Sequence, residues 1–136
     1  KKGIRRLYLA ASTGMENPIH IQRVFTAVYD RWPDLELGFH MHERTGMAAA
    51  NMFAALDAGA KSVEGSICGI GGGIAMPGGM GDIGNLPTED IVNMLNRSEL
   101  ATGLDTDLVL ATAKKIEAIL DIPSRSYAAR NKDIGV

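Results

Sequence analysis

The sequence is poor in the features that mark several common classes of protein. Its one cysteine, Cys68, leaves no pair for an internal disulfide or for a cysteine-based zinc site. No run of about 20 apolar residues occurs, which excludes an ordinary transmembrane helix. The formal net charge is only −2, so the charge balance favours neither nucleic acid nor an anionic membrane as a partner. We therefore expect a protein of the reducing cytoplasm.

What the sequence does contain is the composition of an ordinary globular domain. It is 46% hydrophobic and 22% charged, and its 136 residues match the size of one domain. It begins at Lys1 rather than at a methionine, and it enters an apolar strand within a few residues. We interpret the chain as a piece of a longer protein.

Apolar strand-like segments alternate with helical patterns along the chain. The predicted strands cover residues 4–12, 35–42 and 61–71. The predicted helices cover residues 18–32, 45–60, 88–98 and 105–120, and the remainder is a tail. Strands that alternate with helices imply a parallel sheet with right-handed crossovers. Three such units are too few to close a barrel, so we expect further units before residue 1.

The helix ends and apolar stripes give more local expectations. Asn17 is placed to cap the first helix, with Pro18 at its first position, and Thr88 to cap the third helix. The helical spacing of apolar residues predicts which faces are buried. The expected stripes are Ile19, Val24 and Val28 in the first helix, with Phe25 as an additional candidate, and Leu108, Ala111, Ile116 and Ile119 in the last.

Two of the three histidines, His40 and His42, lie two positions apart at the end of the second predicted strand. Alternate residues of a strand point to the same face, so both imidazoles share one face. The carboxyl end of a barrel strand is where active sites form, and two such imidazoles can bind one metal ion. Acidic Glu43 follows directly. The alternative is a pair of partly buried or solvent-facing histidines.

A glycine-rich stretch follows the third predicted strand, with eight glycines in the seventeen residues from Gly69 to Asn85. It matches neither the phosphate-binding P-loop nor a dinucleotide fingerprint, which leaves a flexible loop or a functional lid. Asn85 ends the stretch just before a helix, as a turn or cap residue or as an oxygen ligand to a metal. Cys68 is expected to be a buried structural residue.

Several of these segments resemble one known family. The residues "GFHMHERTGMAAANMFAALDAGAKSVEGSICGIGG" and "GNLPTEDIVNML" resemble the metal-dependent lyases and Claisen-type synthases built on TIM barrels, with hydroxymethylglutaryl-CoA lyase as the best match. Upstream, "LAASTGMENP" resembles the family's sixth strand end. The resemblance implies that residues 1–136 are a partial TIM-barrel domain, with residues 1–120 as its sixth to eighth βα units and residues 121–136 as a C-terminal tail.

The resemblance also implies a site. His40, His42 and Asn85 would be ligands of a divalent metal, Mg²⁺ or Mn²⁺, and a further carboxylate ligand would come from a first strand that this chain lacks. Ser12 and the backbone of Gly71, Gly72 and Gly73 would contact the substrate. These expectations make the protein a carbon–carbon lyase that cleaves a 3-hydroxyacyl-CoA such as hydroxymethylglutaryl-CoA. We expect the full-length protein to be a homodimer.

The sequence departs from this pattern at three places. Gly73 stands where the lyase has its catalytic cysteine, Ala11 where the family has an aspartate, and Glu43 where it has the aspartate after the histidines. The resemblance makes Glu43, at this position, the candidate for the catalytic acid or base. These departures keep three alternatives open: an acyl-CoA-dependent synthase of the homocitrate or isopropylmalate type, a 4-hydroxy-2-oxo acid aldolase, and a metal-binding paralogue without catalysis.

Overall fold

The computed structural model describes residues 3–72 and 84–131, and this part of the chain divides into two compact units. The first unit contains residues 3–64, and the second contains residues 65–72 together with residues 84–131. The expected substrate contact Gly73 lies outside the described residues. Each unit is built from different elements and is described by itself.

The first unit is a parallel sheet with two helices. In chain order it contains β1 (Arg6–Ala11), α1 (Pro18–Arg31), β2 (Glu36–Met41), α2 (Ala48–Asp57) and β3 (Ser62–Glu64). The sheet has three strands in the order β1-β2-β3, and both pairings are parallel. The register places Ala10, His40 and Glu64 side by side across the sheet. The alternation predicted from the sequence is thus confirmed for this unit.

Helix α1 begins as the sequence predicts, and it buries Phe25 as expected, but its other buried residue is Ile21 rather than Ile19. The Asn17 side chain accepts a hydrogen bond from the His20 backbone N–H at 2.9 Å, so it satisfies one of the free donors at the helix start. The buried residues are Ile21 and Phe25, whereas Ile19 is 62% exposed. The reason is Phe39 of β2, against which the Phe25 ring packs edge to face at 5.7 Å.

Strand β2 is the centre of this unit's core. Leu37, Phe39 and Met41 are at most 1% exposed, and they alternate with residues on the opposite face of the sheet. On that opposite face, a Cβ atom at Gly38 would lie 2.5 Å from the Tyr8 ring, so the glycine makes room for the tyrosine. The sheet face that carries Gly38 is also the face that carries His40.

The second unit begins with a turn where the sequence predicts a strand. Strand β3 ends at Glu64, and Ile67–Gly69 form a short 3-10 helix. Cys68 has a φ of 57° and Gly69 a φ of 67°, values in the left-handed region, so the backbone cannot continue as a strand. The predicted strand over residues 61–71 is therefore wrong beyond Glu64, although Cys68 is buried as expected.

Three helices complete the second unit: α3 (Thr88–Arg97), α4 (Thr106–Leu120) and α5 (Tyr127–Arg130). Thr88 is the first helical residue of α3 rather than its cap, because Pro87 occupies the cap position. In α4 the predicted stripe is out of phase, since Leu108 and Ile119 are 67% and 75% exposed. The buried residues of α4 are Leu110 and Ala113, and the Ala113 carbonyl accepts from Cys68 Sγ at 3.4 Å.

The segment after α4 packs against α3. Ser124 and Ser126 are buried, and their hydroxyl groups donate to Glu89 and Asp90 respectively. Asp90 also accepts the backbone N–H groups of Tyr127 and of the residue after it, at the start of α5. The residues expected as a tail are thus held by two buried carboxylates of α3. Of the helices in the described ranges, none has the length and apolarity needed to cross a membrane.

Candidate metal site

His40 and His42 meet at the carboxyl end of β2. Their Nε2 atoms lie 3.0 Å apart, and the two rings are nearly perpendicular, at 79°. His42 is only 5% exposed, while His40 is partly buried. The predicted arrangement of two imidazoles on one face is therefore present, with the two ring nitrogens turned toward each other.

The other ring nitrogens decide what lies between the two Nε2 atoms. His40 Nδ1 lies 3.0 Å from Glu64 Oε1, an ion-pair distance, although the two groups lack the alignment of a hydrogen bond. His42 Nδ1 is buried and has no aligned hydrogen-bond partner among the described residues. If each Nδ1 carries a proton, both Nε2 lone pairs face one point. Two lone pairs at this distance need a proton or a cation between them.

The surroundings of His42 favour the neutral form of its imidazole. Burial, and next the neighbouring His40, lower the pKa of His42 from its ordinary value of 6.5. The Ser12 backbone carbonyl and the Glu16 carboxylate oppose this lowering. A lowered pKa favours the neutral imidazole at pH 7, and the neutral imidazole is the form that binds a metal ion.

The distance between the two nitrogens suits one metal ion. Two nitrogens that each lie about 2.1 Å from one ion, at an angle of about 90°, are about 3.0 Å apart. Among residues 3–72 and 84–131, no group of three histidine, cysteine, aspartate or glutamate side chains could hold a metal ion. A metal ion bound by the two histidines would therefore take its other ligands from groups of another kind or from another part of the protein.

Asn85 of the second unit has the features of an oxygen ligand. Its Nδ2 donates to the Ile70 carbonyl at 2.8 Å, which fixes the orientation of the amide. Its Oδ1 is buried and has no hydrogen-bond partner among the described residues. Gly71 has a φ of +87°, and a Cβ atom there would lie 3.1 Å from Asn85 Nδ2. That Asn85 shares an ion with the histidines stays a prediction.

The other expected site residues have different surroundings. Ser12 is exposed just after β1, and Gly71 is exposed beside half-buried Gly72. Glu43 directly follows His42, and its Oε1 is buried without a hydrogen-bond partner in the described part of the chain. Buried acceptor atoms in proteins nearly always have a hydrogen-bond donor or a cation as a partner. Contact between these residues and a substrate stays a prediction.

Sequence reasoning missed two carboxylates near the histidines. Glu64 faces His40 because β2 and β3 pair in this register, and the signal in the sequence is the alignment of the two predicted strands. Glu16 accepts from Thr13 Oγ1 with one oxygen, while its Oε2 is buried and unpartnered among the described residues. No local pattern in the sequence distinguishes Glu16 from an ordinary loop residue.

The strands, helices and histidine pair described above first indicate a class of protein fold. Parallel strands joined by helices, with a polar pair at the carboxyl end of a strand, are typical of a TIM barrel, of which this chain is a part. The HMGL-like family model matches residues 1–116, and the chain belongs to this family. The family and the fold class predicted from the sequence are thereby confirmed.

The relatives by sequence include several lyases. The chain is 36% identical over 126 residues to hydroxymethylglutaryl-CoA lyase of Bacillus subtilis. The aligned region covers 91% of this chain and 41% of the relative. It is 31% identical over 121 residues to (R)-citramalyl-CoA lyase of Chloroflexus aurantiacus, with coverage of 89% and 37%. The chain thus spans about two fifths of the length of these relatives.

Solved structures give the same result. The crystal structure of the Bacillus subtilis HMG-CoA lyase superposes with a TM-score of 0.84 at 35% identity, over 94% of this chain and 42% of that chain. An HMG-CoA lyase of Acinetobacter baumannii, in complex with coenzyme A and 3-methylmalate, superposes with a TM-score of 0.86 at 31% identity, over 98% and 44%.

Proposed function

We propose that this chain is part of a divalent-metal-dependent carbon–carbon lyase that cleaves a 3-hydroxyacyl-CoA such as hydroxymethylglutaryl-CoA. The observation that carries the proposal is the 3.0 Å approach of the two Nε2 atoms of His40 and His42. It is supported by the hydroxymethylglutaryl-CoA and citramalyl-CoA lyases among the relatives. It is also supported by a coenzyme A complex of a similar structure.

The ion would be held by His40, His42 and Asn85, together with a carboxylate from outside this chain. Mg²⁺ or Mn²⁺ suits such a set of nitrogen and oxygen donors completed by a carboxylate. When bound, the ion would act as a Lewis acid on the substrate's oxygen atoms, where negative charge develops as the carbon–carbon bond breaks.

The chain's own residues would prepare the site for this chemistry. Glu64 would hold the His40 ring by its Nδ1, as carboxylates commonly do for metal-binding histidines. Ser12 and the backbone N–H groups of Gly71–Gly73 would bind substrate oxygens. Glu43, with one buried and unpartnered oxygen in the described part of the chain, would accept or return a proton.

A second candidate is an aldolase that acts on a 4-hydroxy-2-oxo acid. It is favoured by a 4-hydroxy-2-oxovalerate aldolase of Marinomonas sp., to which the chain is 30% identical over 125 residues. Gly73 in place of the lyase cysteine also fits a site that lacks the hydroxymethylglutaryl-CoA machinery. The metal-binding paralogue without catalysis remains an outcome of the same test, whereas the synthase would show no cleavage and would instead consume acetyl-CoA with a 2-oxo acid.

The test uses the full-length natural protein, stripped of metal and then supplied with Mn²⁺ or Mg²⁺. Cleavage of hydroxymethylglutaryl-CoA, citramalyl-CoA and 4-hydroxy-2-oxovalerate is measured side by side. We expect metal-dependent release of acetyl-CoA from one of the two CoA esters. His40→Ala should abolish it, whereas His20→Ala on the exposed surface of α1 should leave it unchanged.

The other outcomes assign the other functions. Cleavage of only the oxo acid would establish the aldolase, and metal binding without any cleavage would leave the binding protein. Cleavage that persists in metal-free protein, or in the His40→Ala variant, would contradict the proposed metal site.

A further inference from the structure

Glu89 is the most deeply buried carboxylate of the second unit, with no exposed surface. It lies in the first turn of α3, and both of its carboxylate oxygens are 3.0 Å from the Cys68 backbone nitrogen. The Ser124 hydroxyl donates to Oε1 at 3.3 Å. A buried carboxylate is costly unless it accepts several hydrogen bonds, so this arrangement holds the Cys68 backbone firmly.

The backbone that Glu89 holds is a strained turn. Cys68 is a non-glycine residue in the left-handed region, with a φ of 57°, and such a conformation persists only where the surroundings enforce it. The turn closes through a hydrogen bond from the Ile70 N–H to the Ile67 carbonyl at 3.2 Å. The Arg125 backbone N–H adds a bond to the Cys68 carbonyl at 3.0 Å.

The same turn orients Asn85. Its last residue, Ile70, presents the carbonyl that accepts from Asn85 Nδ2 at 2.8 Å. Because the amide is planar, a fixed Nδ2 also fixes Oδ1, the buried oxygen without a partner among the described residues. A shift of the Cys68–Ile70 turn would therefore rotate the Asn85 oxygen.

We propose that Glu89 is a positioning residue for the metal site, which acts through the Cys68–Ile70 turn to direct the Oδ1 atom of Asn85. This inference rests on the proposed function only in taking Asn85 as a metal ligand. Glu89 itself contacts neither metal nor substrate. Its effect is the orientation of one oxygen atom.

A carboxylate is needed here because the Cys68 N–H and the Ser124 hydroxyl both donate to Glu89. A carboxylate meets these two donors with oxygen atoms that only accept. In Glu89→Gln, one oxygen is replaced by an NH₂ group, which cannot accept a hydrogen bond. The amide would place a donor against a donor, and the turn would shift to relieve the contact. The substitution preserves the size of the side chain, so packing is changed little.

Asp90 provides the matched control. It is the neighbouring buried carboxylate of α3, 6% exposed, and it holds the start of α5 through Ser126 and two backbone N–H groups. In the described part of the chain, none of Asp90's own hydrogen bonds is made to the Cys68–Ile70 turn. Asp90→Asn should therefore lower stability as Glu89→Gln does, without reorienting Asn85.

The experiment compares the wild type, Glu89→Gln and Asp90→Asn in the full-length protein. The first readout is the side-chain amide NMR signal of Asn85 in metal-free protein, assigned with Asn85→Asp. The second is the affinity for Mn²⁺, followed by electron paramagnetic resonance. We expect Glu89→Gln to shift the amide signal and to weaken Mn²⁺ binding about tenfold, within the range known for outer-shell partners of metal ligands. Asp90→Asn should change neither.

Each outcome separates this inference from the proposed function. An unchanged Asn85 signal in folded Glu89→Gln protein would overturn the inference, and so would equal effects of the two variants. If Asn85→Ala binds Mn²⁺ as the wild type does, the ligand assignment fails, while a shifted amide signal would still support the orienting role. If Glu89→Gln does not fold, Ser124→Ala removes one donor to Glu89, and an unshifted Asn85 signal in that variant overturns the inference.

Discussion

At the scale of single residues, the site depends on which protons the side chains hold. The Nε2 atoms of His40 and His42 lie 3.0 Å apart, while both Nδ1 atoms are buried. The arrangement of His40 depends in turn on Glu64, whose carboxylate is half-exposed. The sequence alone predicts the two histidines, but Glu64 becomes visible only through the pairing of β2 with β3.

The first prediction concerns Glu64. In the full-length protein, Glu64→Gln should weaken Mn²⁺ binding about tenfold, because the His40 ring loses a charged partner that orients it. Global stability should change by less than about 1 kcal/mol, since exposed ion pairs contribute little. Isothermal titration calorimetry measures the affinity, and thermal unfolding of the metal-free protein measures the stability.

The control for this variant is Glu36→Gln. Glu36 also lies on β2 and forms an exposed ion pair with Arg6, at 2.6 Å, but at the opposite end of the strand. It should leave Mn²⁺ binding unchanged. An equal loss of affinity in both variants would show that Glu64 acts through the net charge and does not position His40.

The second prediction concerns Cys68 and pH. Burial, and next the charge of Glu89, raise the pKa of the Cys68 thiol above its ordinary value of 9.0. The folded state therefore holds this proton more tightly than the unfolded state. The stability that results is fully present below pH 9.0 and is lost as the pH rises through the folded-state pKa.

This prediction is measured as the free energy of unfolding in urea between pH 8 and pH 10, for the wild type and Cys68→Ala. The wild type should lose more stability over this range than the variant, which lacks the thiol. Parallel curves would mean that the folded structure does not raise the thiol pKa. Mass-spectrometric mapping should also show slow alkylation at Cys68 in the folded protein at pH 8.

At the scale of elements, the sequence predicts the ends of helices better than their buried faces. Asn17 and Pro18 define the start of α1 by local chemistry, and the structure agrees. Helix α4 contains enough apolar residues for more than one apolar face, and the buried residues are Leu110 and Ala113, of which Ala113 contacts the turn at Cys68. Local spacing carries no information about that contact.

The third strand shows the same limit. Residues 61–71 are apolar enough to predict a strand, yet the chain turns at Cys68. At this turn the Cys68 N–H donates to Glu89, which lies 21 residues further along the chain. The acidic pair at the start of α3 is a familiar sign of a helix N-terminus, and the sequence gives no hint that both carboxylates hold other segments.

The third prediction belongs to α1. Asn17→Ala should lower the free energy of unfolding by about 1 kcal/mol, because the His20 N–H loses its acceptor. Gln22→Ala, at an exposed position within the same helix, should change it by less than about 0.5 kcal/mol. Urea unfolding of both variants checks this, and equal effects would contradict a capping role for Asn17.

At the scale of the whole molecule, the chain is part of a barrel and, as we propose, supplies part of a metal site. The family match and the two fifths of length shared with the relatives agree with the partial barrel predicted from the sequence. The parallel sheet followed from the alternation of strands and helices, and the TIM barrel followed from the family resemblance. The complete set of metal ligands could not be predicted from this sequence, because the expected carboxylate ligand belongs to a first strand outside these residues.

The central claim is that His40, His42 and Asn85 bind one divalent ion. The most direct measurement is an anomalous difference map from crystals of the full-length protein grown with Mn²⁺. We predict one peak about 2.1 Å from the Nε2 atoms of both histidines and from Asn85 Oδ1. A Mn²⁺ peak bound elsewhere, with the two histidines hydrogen-bonded to each other and free of metal, would contradict the claim.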